Sequence, residues 1–189
     1  MELKLVFGIL ATIITIVGYV PYFRDIFSIK TKPHLYTWLI WGITQGTATL
    51  ALLKGGGKIG AISLLIGTIL VAVIFFLSFK YGTKNITKSD TLALIFALLA
   101  ILVWWQLDNP ILAVLMVSLI DMLGYIPTLR KTFTDPSTET MFFWICMLAT
   151  DILAMLANSE YNLLTMSYLT ALAVCNSAMI LVIWFRRKH

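Results

Sequence analysis

Two carboxylic acids and an amide, Asp121, Asp151 and Gln45, stand in the middle of long apolar runs. An acid in hydrocarbon costs about 2.5–3.5 kcal/mol on insertion scales, so groups of this kind mark a polar solute's path or a hydrogen bond between helices. Each of the three lies roughly eleven residues into its run, about 16 Å along a helix rising 1.5 Å per residue. That is halfway through a bilayer core. The chemistry open to them is binding: an amide and carboxyls that hydrogen-bond a polar solute or carry a proton. Trp38 precedes Gln45 by seven residues and Trp144 precedes Asp151 by seven, an interval that returns to the same side of a helix. Trp38 and Trp144 are therefore candidates to stack on a solute, with interfacial anchoring alongside Trp41 as the alternative.

Catalysis is not indicated. The histidines are His34 and His189, one before a predicted helix and one at the chain end, and no nucleophile–base or metal-ligand spacing is present. Gly55-Gly-Gly57 reads as a turn, not a phosphate loop, so neither enzyme, cofactor nor metal is expected. Cys146 and Cys175 both fall inside apolar runs and are read as core residues.

Such groups need spans to hold them. Of 189 residues, 60% are apolar or aromatic and 12% charged, with mean hydropathy +0.92, beyond the usage of a soluble domain. At roughly 20 apolar residues per crossing, seven spans are predicted: Leu3 to Phe27, His34 to Leu53, Ile59 to Phe79, Ser89 to Leu107, Pro110 to Phe133, Thr140 to Ala157 and Asn162 to Trp184. Turn and charge signals at 30–33, 54–57, 80–90, 108–110, 135–137 and 158–160 separate them. Met1 to Val17, where Lys4 precedes an apolar stretch with no small-residue cleavage site after it, is read as part of a helix and not a signal peptide. If the spans alternate, Lys4, Lys54 and Lys58 share one side and the other 11 of the 14 Lys and Arg share the opposite side. That bias predicts an N-terminus outside and a C-terminus in the cytoplasm. The positive charge is thus a topology signal, and no nucleic-acid partner is expected; the partners are the bilayer and a small solute, with homo-oligomerisation left open.

A gapless internal repeat organises the spans. At an offset of 106 residues, Gly18, Tyr19, Pro21, Arg24 and Phe27 fall on Gly124, Tyr125, Pro127, Arg130 and Phe133; Trp38, Thr44 and Ala48 fall on Trp144, Thr150 and Ala154. Both copies carry Pro and Arg at the same end of their first helix, so they point the same way. A three-helix unit ends opposite its start, and parallel copies need an odd linker, supplied by Ser89 to Leu107. The expected fold is an all-α membrane protein with seven transmembrane helices, two parallel three-helix bundles joined by one linker helix. Residues 1–80 form the first repeat, 81–109 the cytoplasmic loop and linker helix, and 110–189 the second repeat with its basic tail. Thr12, Thr15, Tyr19 and Tyr22 repeat as Ser118, Asp121, Tyr125 and Thr128, a polar stripe expected to face the common axis. Pro21 and Pro127 each free a carbonyl one turn earlier, which makes them candidate hinges. Tyr19 and Tyr125 beside them are candidate gates.

With Pro21 and Pro127, the segments Ile29 to Lys32 and Ser137 to Met141, and the three-one-three order, the chain resembles the SWEET and PQ-loop transporter superfamily. The glutamine that names the PQ loop is Tyr22 in one copy and Thr128 in the other. The resemblance implies a membrane transporter moving a small polar solute, a sugar first, by alternating access around a midplane site. It also implies that Asn176 presents its amide to that solute from the last helix; the alternative for Asn176 is a bond between helices. The buried acids leave open a proton-coupled amino-acid transporter, and PnuC-type vitamin or nucleoside carriers share the helix count. A cargo receptor or assembly factor on the same fold is the remaining alternative.

Overall fold

A computed structural model of the protein describes residues 2–54, 58–106, 109–158 and 161–188. The glycine turn expected at 55–57, the breaks at Asp108 and at 159–160, His189, and the side chains of Lys54, Lys58 and Trp104 lie outside the described residues. Every regular element described is helical: α1 (Glu2–Phe27), α2 (Leu35–Lys54), α3 (Lys58–Tyr81), α4 (Lys88–Trp104), α5 (Pro110–Thr134), a 3-10 turn (Pro136–Thr138), α6 (Met141–Ala157) and α7 (Leu163–Lys188). By length and apolarity α1 from Leu3 and α7 from Thr165 are able to cross a membrane, and α3 and α6 contain shorter apolar stretches.

Local chemistry sets the boundaries. Thr87 caps α4 and receives the Asp90 amide at 3.4 Å, while the Asp90 carboxylate takes the Thr87 amide at 2.8 Å, a reciprocal capping box. Asn109 caps α5 ahead of Pro110, whose missing N–H costs nothing at a helix start. The end of α1 is unusual. Ile29 holds φ 59, its amide bonds Ile26, and the Lys30 amide reaches back to the Asp25 carbonyl at 2.9 Å. This is a Schellman ending with isoleucine at the left-handed position that glycine normally fills.

The helices pack as a ring in the order α1, α6, α7, α5, α2, α3, with α3 returning only thinly to α1, and α4 lying outside against α5 and α2. Among the described residues the α1 and α2 backbones do not approach each other, nor do those of α5 and α6, and these pairs meet through long side chains such as Tyr22 with Trp38 and Tyr125 with Trp144. Each repeat's first helix is fastened instead to the other repeat's second helix. The ends of the helices meet in two layers. At one end Lys32 donates its amide to Thr138, Thr83 to Pro33, and the Arg130 guanidinium bonds the Asn85 carbonyl; at the other, the Lys4 ammonium reaches the Asn158 carbonyl at 2.6 Å. The first, basic end carries the charged residues that matter below.

Polarity runs inside out. Asp90, Asp121, Lys131, Glu139, Asp151 and Asn176 are buried, whereas Leu3, Val20, Phe76, Phe96 and Leu163 are among the many large apolar residues left exposed. In water such an exterior is unfavourable by about 25 cal/mol per Å² of apolar surface.

Candidate functional site

The two seams between the repeats are copies of each other. On α1 and α6, Thr15 and Thr150 share a hydrogen bond at 3.2 Å; 106 residues on, Asp121 of α5 accepts the Thr44 hydroxyl of α2 at 2.6 Å. A Cβ on Gly18 would stand 2.7 Å from the Cys146 Cβ, and a Cβ on Gly124 would stand 3.2 Å from Ile40 and 2.9 Å from the Trp41 Nε1. Cys146 and Met147 are the register partners of Ile40 and Trp41. The glycines let the helix backbones approach closely, as small residues do where membrane helices cross. The polar stripe of the first helices therefore forms these seams. Thr128 bonds Thr37 across one seam at 2.8 Å, and the equivalent Tyr22 meets Phe143 across the other with ring centroids 4.4 Å apart. Thr12 and Ser118 turn back to carbonyls of their own helices.

Beside the α2–α5 seam lies a polar chain found in the second repeat. The Tyr125 hydroxyl donates to the Asn176 carbonyl oxygen at 2.9 Å, and the Asn176 amide donates to Asp151 at 2.7 Å. All three are buried, and they tie α5, α7 and α6 together. The register partners Tyr19, Leu70 and Gln45 do not reproduce the chain, because Leu70 has no polar atom. Gln45 is directed at α3, its Nε2 2.7 Å from where a Cβ on Gly67 would be. Tyr168, about two turns before Asn176 on the same side of α7, lies against the Asp121 carboxyl. Asp121 and Asp151 thus each hold a hydrogen bond across a helix boundary while remaining acceptors for more.

Toward the basic end an aromatic layer fills the axis. Tyr19, Tyr22, Trp38, Tyr125, Phe143 and Trp144 are buried in one cluster, with Trp41 packed against it. Tyr125 stacks edge-on to Trp41 with centroids 4.6 Å apart, and Trp41 bridges Trp38 and Trp144. This corrects the interfacial reading of Trp38, Trp41 and Trp144: Trp38 and Trp144 are each 1% exposed, because the starts of α2 and α6 face the ring's interior. Trp105 and Trp184, by contrast, are on the outside. α1 and α5 continue as helix through Pro21 and Pro127, and Tyr19 and Tyr125 sit in the aromatic layer next to them.

Below that layer the basic end is clamped. Lys131 and Glu139 form an ion pair at 2.5 Å with side chains 3% and 0% exposed. Glu139 also accepts the Trp144 indole N–H at 3.1 Å, and Lys131 reaches the Lys32 carbonyl at 2.7 Å. Asp25, the register partner of Lys131, makes the equivalent crossing by accepting the Thr140 hydroxyl at 2.9 Å. Arg130 grips Asp90 of α4 with two bonds of 2.7 Å, and His34 stands 3.3 Å from the same carboxylate. The residues not anticipated as functional are Thr44, Tyr168, Phe143, Lys131 and Glu139. Thr44 was visible as a repeated position, but its partner depended on which helices cross.

No protein-family model, curated protein or solved structure matches this chain.

Proposed function

We propose that the chain is a multi-pass membrane transporter that carries a small polar solute by alternating access between its two repeats. The observation that carries the reading is the inside-out polarity: carboxyls and an amide line the centre of a helical ring whose outer surface is apolar, the arrangement a bilayer favours and water does not. The remaining helices cross with α1 and α7, giving seven spans with the basic end in the cytoplasm. The equivalent seams support a rocking motion, since two like interfaces related by one axis allow one repeat to turn against the other. In the conformation at hand the aromatic layer and the Lys131–Glu139 clamp close the cytoplasmic end. Asp121, Asp151, Asn176 and Tyr125 form the solute site immediately beyond that closure. Trp38, Trp144, Tyr19 and Tyr22 act as the gate, with Pro21 and Pro127 at its hinge.

By resemblance the solute is a sugar. The pair of buried carboxyls favours a second reading, a proton-coupled or cationic solute such as an amino acid, because a buried carboxyl can carry a proton or balance a positive charge. Uptake and counterflow by purified protein in liposomes, tried with sugars, amino acids and nucleosides, test both. If no solute of any class moves, the transporter reading fails and a non-transporting receptor or assembly factor takes its place. In the proton-coupled case Asp151→Asn abolishes pH-driven uptake and spares counterflow; equal loss of both rejects coupling at that residue.

A further inference from the structure

Where α1 and α6 meet at the basic end, a cavity of about 560 Å³ opens to the outside of the ring. Its lining includes the basic side chains Arg24, Lys30, Lys32 and Arg187 and the acids Asp25 and Glu139. Both acids are already engaged. Glu139 holds Lys131 and the Trp144 indole, and Asp25 takes the Thr140 hydroxyl and the exposed Arg24. Among the described residues no carboxylate pairs with Lys30 or Lys32, and Arg187 is spent on the backbone carbonyls of Pro136 and Glu139. The cavity therefore has uncompensated positive charge.

Its rim is apolar. Pro21, Ile29 and Phe142 line it, and Ile29 and Phe142 are 62% and 50% exposed, with Val20 and Phe27 exposed on the adjoining face of α1. Ile29 is held in the left-handed region, where a β-branched side chain is a true outlier. Glycine at that position would make the same turn without strain; isoleucine instead sets an apolar side chain beside a cluster of cations.

We propose that this cavity binds the phosphate of an anionic phospholipid from the cytoplasmic leaflet, with Lys30, Lys32 and Arg24 on the headgroup and an acyl chain along Ile29, Phe142 and Val20. Cations set next to an apolar wall match an amphiphile, whereas a free phosphate has no use for the wall. The assignment rests on the membrane reading above, which fixes this end at the lipid headgroups. Its consequence is regulatory. A lipid seated across the α1–α6 seam, against the segment Ile29 to Lys32 whose Lys32 carbonyl accepts from Lys131, stabilises the closed state of that end.

The test uses purified full-length protein in mixed micelles of phosphatidylglycerol and phosphatidylcholine in equal amounts, with retained lipid counted by native mass spectrometry. Phosphatidylglycerol is expected to be retained preferentially. Because one basic residue near an anionic surface is worth about a five-fold factor, Lys30→Gln with Lys32→Gln should lower the preference by on the order of ten-fold or more. Both lysines project without ion pairs, so the variant keeps its fold, and Lys88→Gln on α4 serves as the control that keeps the preference. Absence of selectivity in the wild type, or selectivity that survives the double substitution, overturns the proposal. So does displacement of the lipid by glycerol phosphate at equal concentration, which would mark a site for phosphate alone. A carbonate wash separates the two levels of failure: protein that stays in membranes without selectivity rejects the lipid site only, and protein that washes off rejects the membrane reading itself.

Discussion

Asp121 on α5 and Thr44 on α2 meet at 2.6 Å, and the positions 106 residues away in the repeat, Thr15 and Thr150, meet at 3.2 Å on the opposite seam. One seam thus holds an acid where the other holds a hydroxyl, so equivalent contacts have unequal chemistry. Removing the hydroxyl in Thr44→Val leaves Asp121 short of a partner in a buried place, which costs about 1–3 kcal/mol when nothing replaces it. Thr150→Val removes contacts with neutral partners alone, the Thr15 hydroxyl at 3.2 Å and the Ala11 carbonyl at 3.4 Å, and a bond of this kind between helices in a membrane is worth about 0.6 kcal/mol. Thermal unfolding in detergent should rank Thr44→Val below Thr150→Val; the reverse order would deny the Asp121 contact its importance.

Asn176 occupies both ends of its amide, between Tyr125 and Asp151. Asn176→Leu installs the residue already present at the related position, Leu70, and strands both neighbours. If the chain transports as proposed, solute uptake should fall by at least about ten-fold, corresponding to about 1.4 kcal/mol or more of lost binding or transition-state stabilisation. Leu70→Asn should leave uptake near the wild-type rate. Unchanged uptake in Asn176→Leu would remove this chain from the proposed solute site.

Breaking the clamp on one side should be worse than removing it. Lys131→Met leaves Glu139 buried without its cation, a situation that destabilises by about 3–5 kcal/mol. Replacing both, as Lys131→Met with Glu139→Leu, should recover most of that loss, because an apolar pair of similar volume avoids the buried charge. A double variant as unstable as the single one would show that the Trp144 and Lys32 contacts matter more than the ion pair.

The glycines of the seams are not equally tolerant. A methyl at Gly18 meets the Cys146 Cβ, an atom fixed to the α6 backbone, while one at Gly124 meets the Trp41 ring edge and an Ile40 methyl. Overpacking of this sort costs about 1–3 kcal/mol, and a side chain yields more readily than a backbone. Melting temperatures should therefore fall further for Gly18→Ala than for Gly124→Ala.

The repeat was readable because its offset is gapless, and with it the matched chemistry of the first helices. What the register did not contain was which helices touch. Gly18 and Gly124 stood out as matches, yet their role depends on α1 meeting α6 and α5 meeting α2, contacts between the halves that no spacing within a half encodes. Trp38 and Trp144 lie near helix starts, where anchoring at an interface and burial in a core leave the same sequence signal. Lys131 enters the sequence reading as one of the 11 cations that share a side, and nothing in that count shows its ammonium sealed by Glu139 across a 3-10 turn. Its partner lies on the far side of that turn, beyond the reach of any helical period. Gln45 shares its helix face with Trp38 by spacing, but the lack of a side chain at Gly67 draws it toward α3.

The exchange of partners between halves has a consequence for biogenesis. On the proposed membrane reading, α1 enters the bilayer with Thr15 and Gly18 facing a helix that has yet to be made, and it waits while every residue between Phe27 and Met141 is synthesised. During that interval its unmatched flank would face lipid, so the α1–α6 seam closes only after α1 has been inserted.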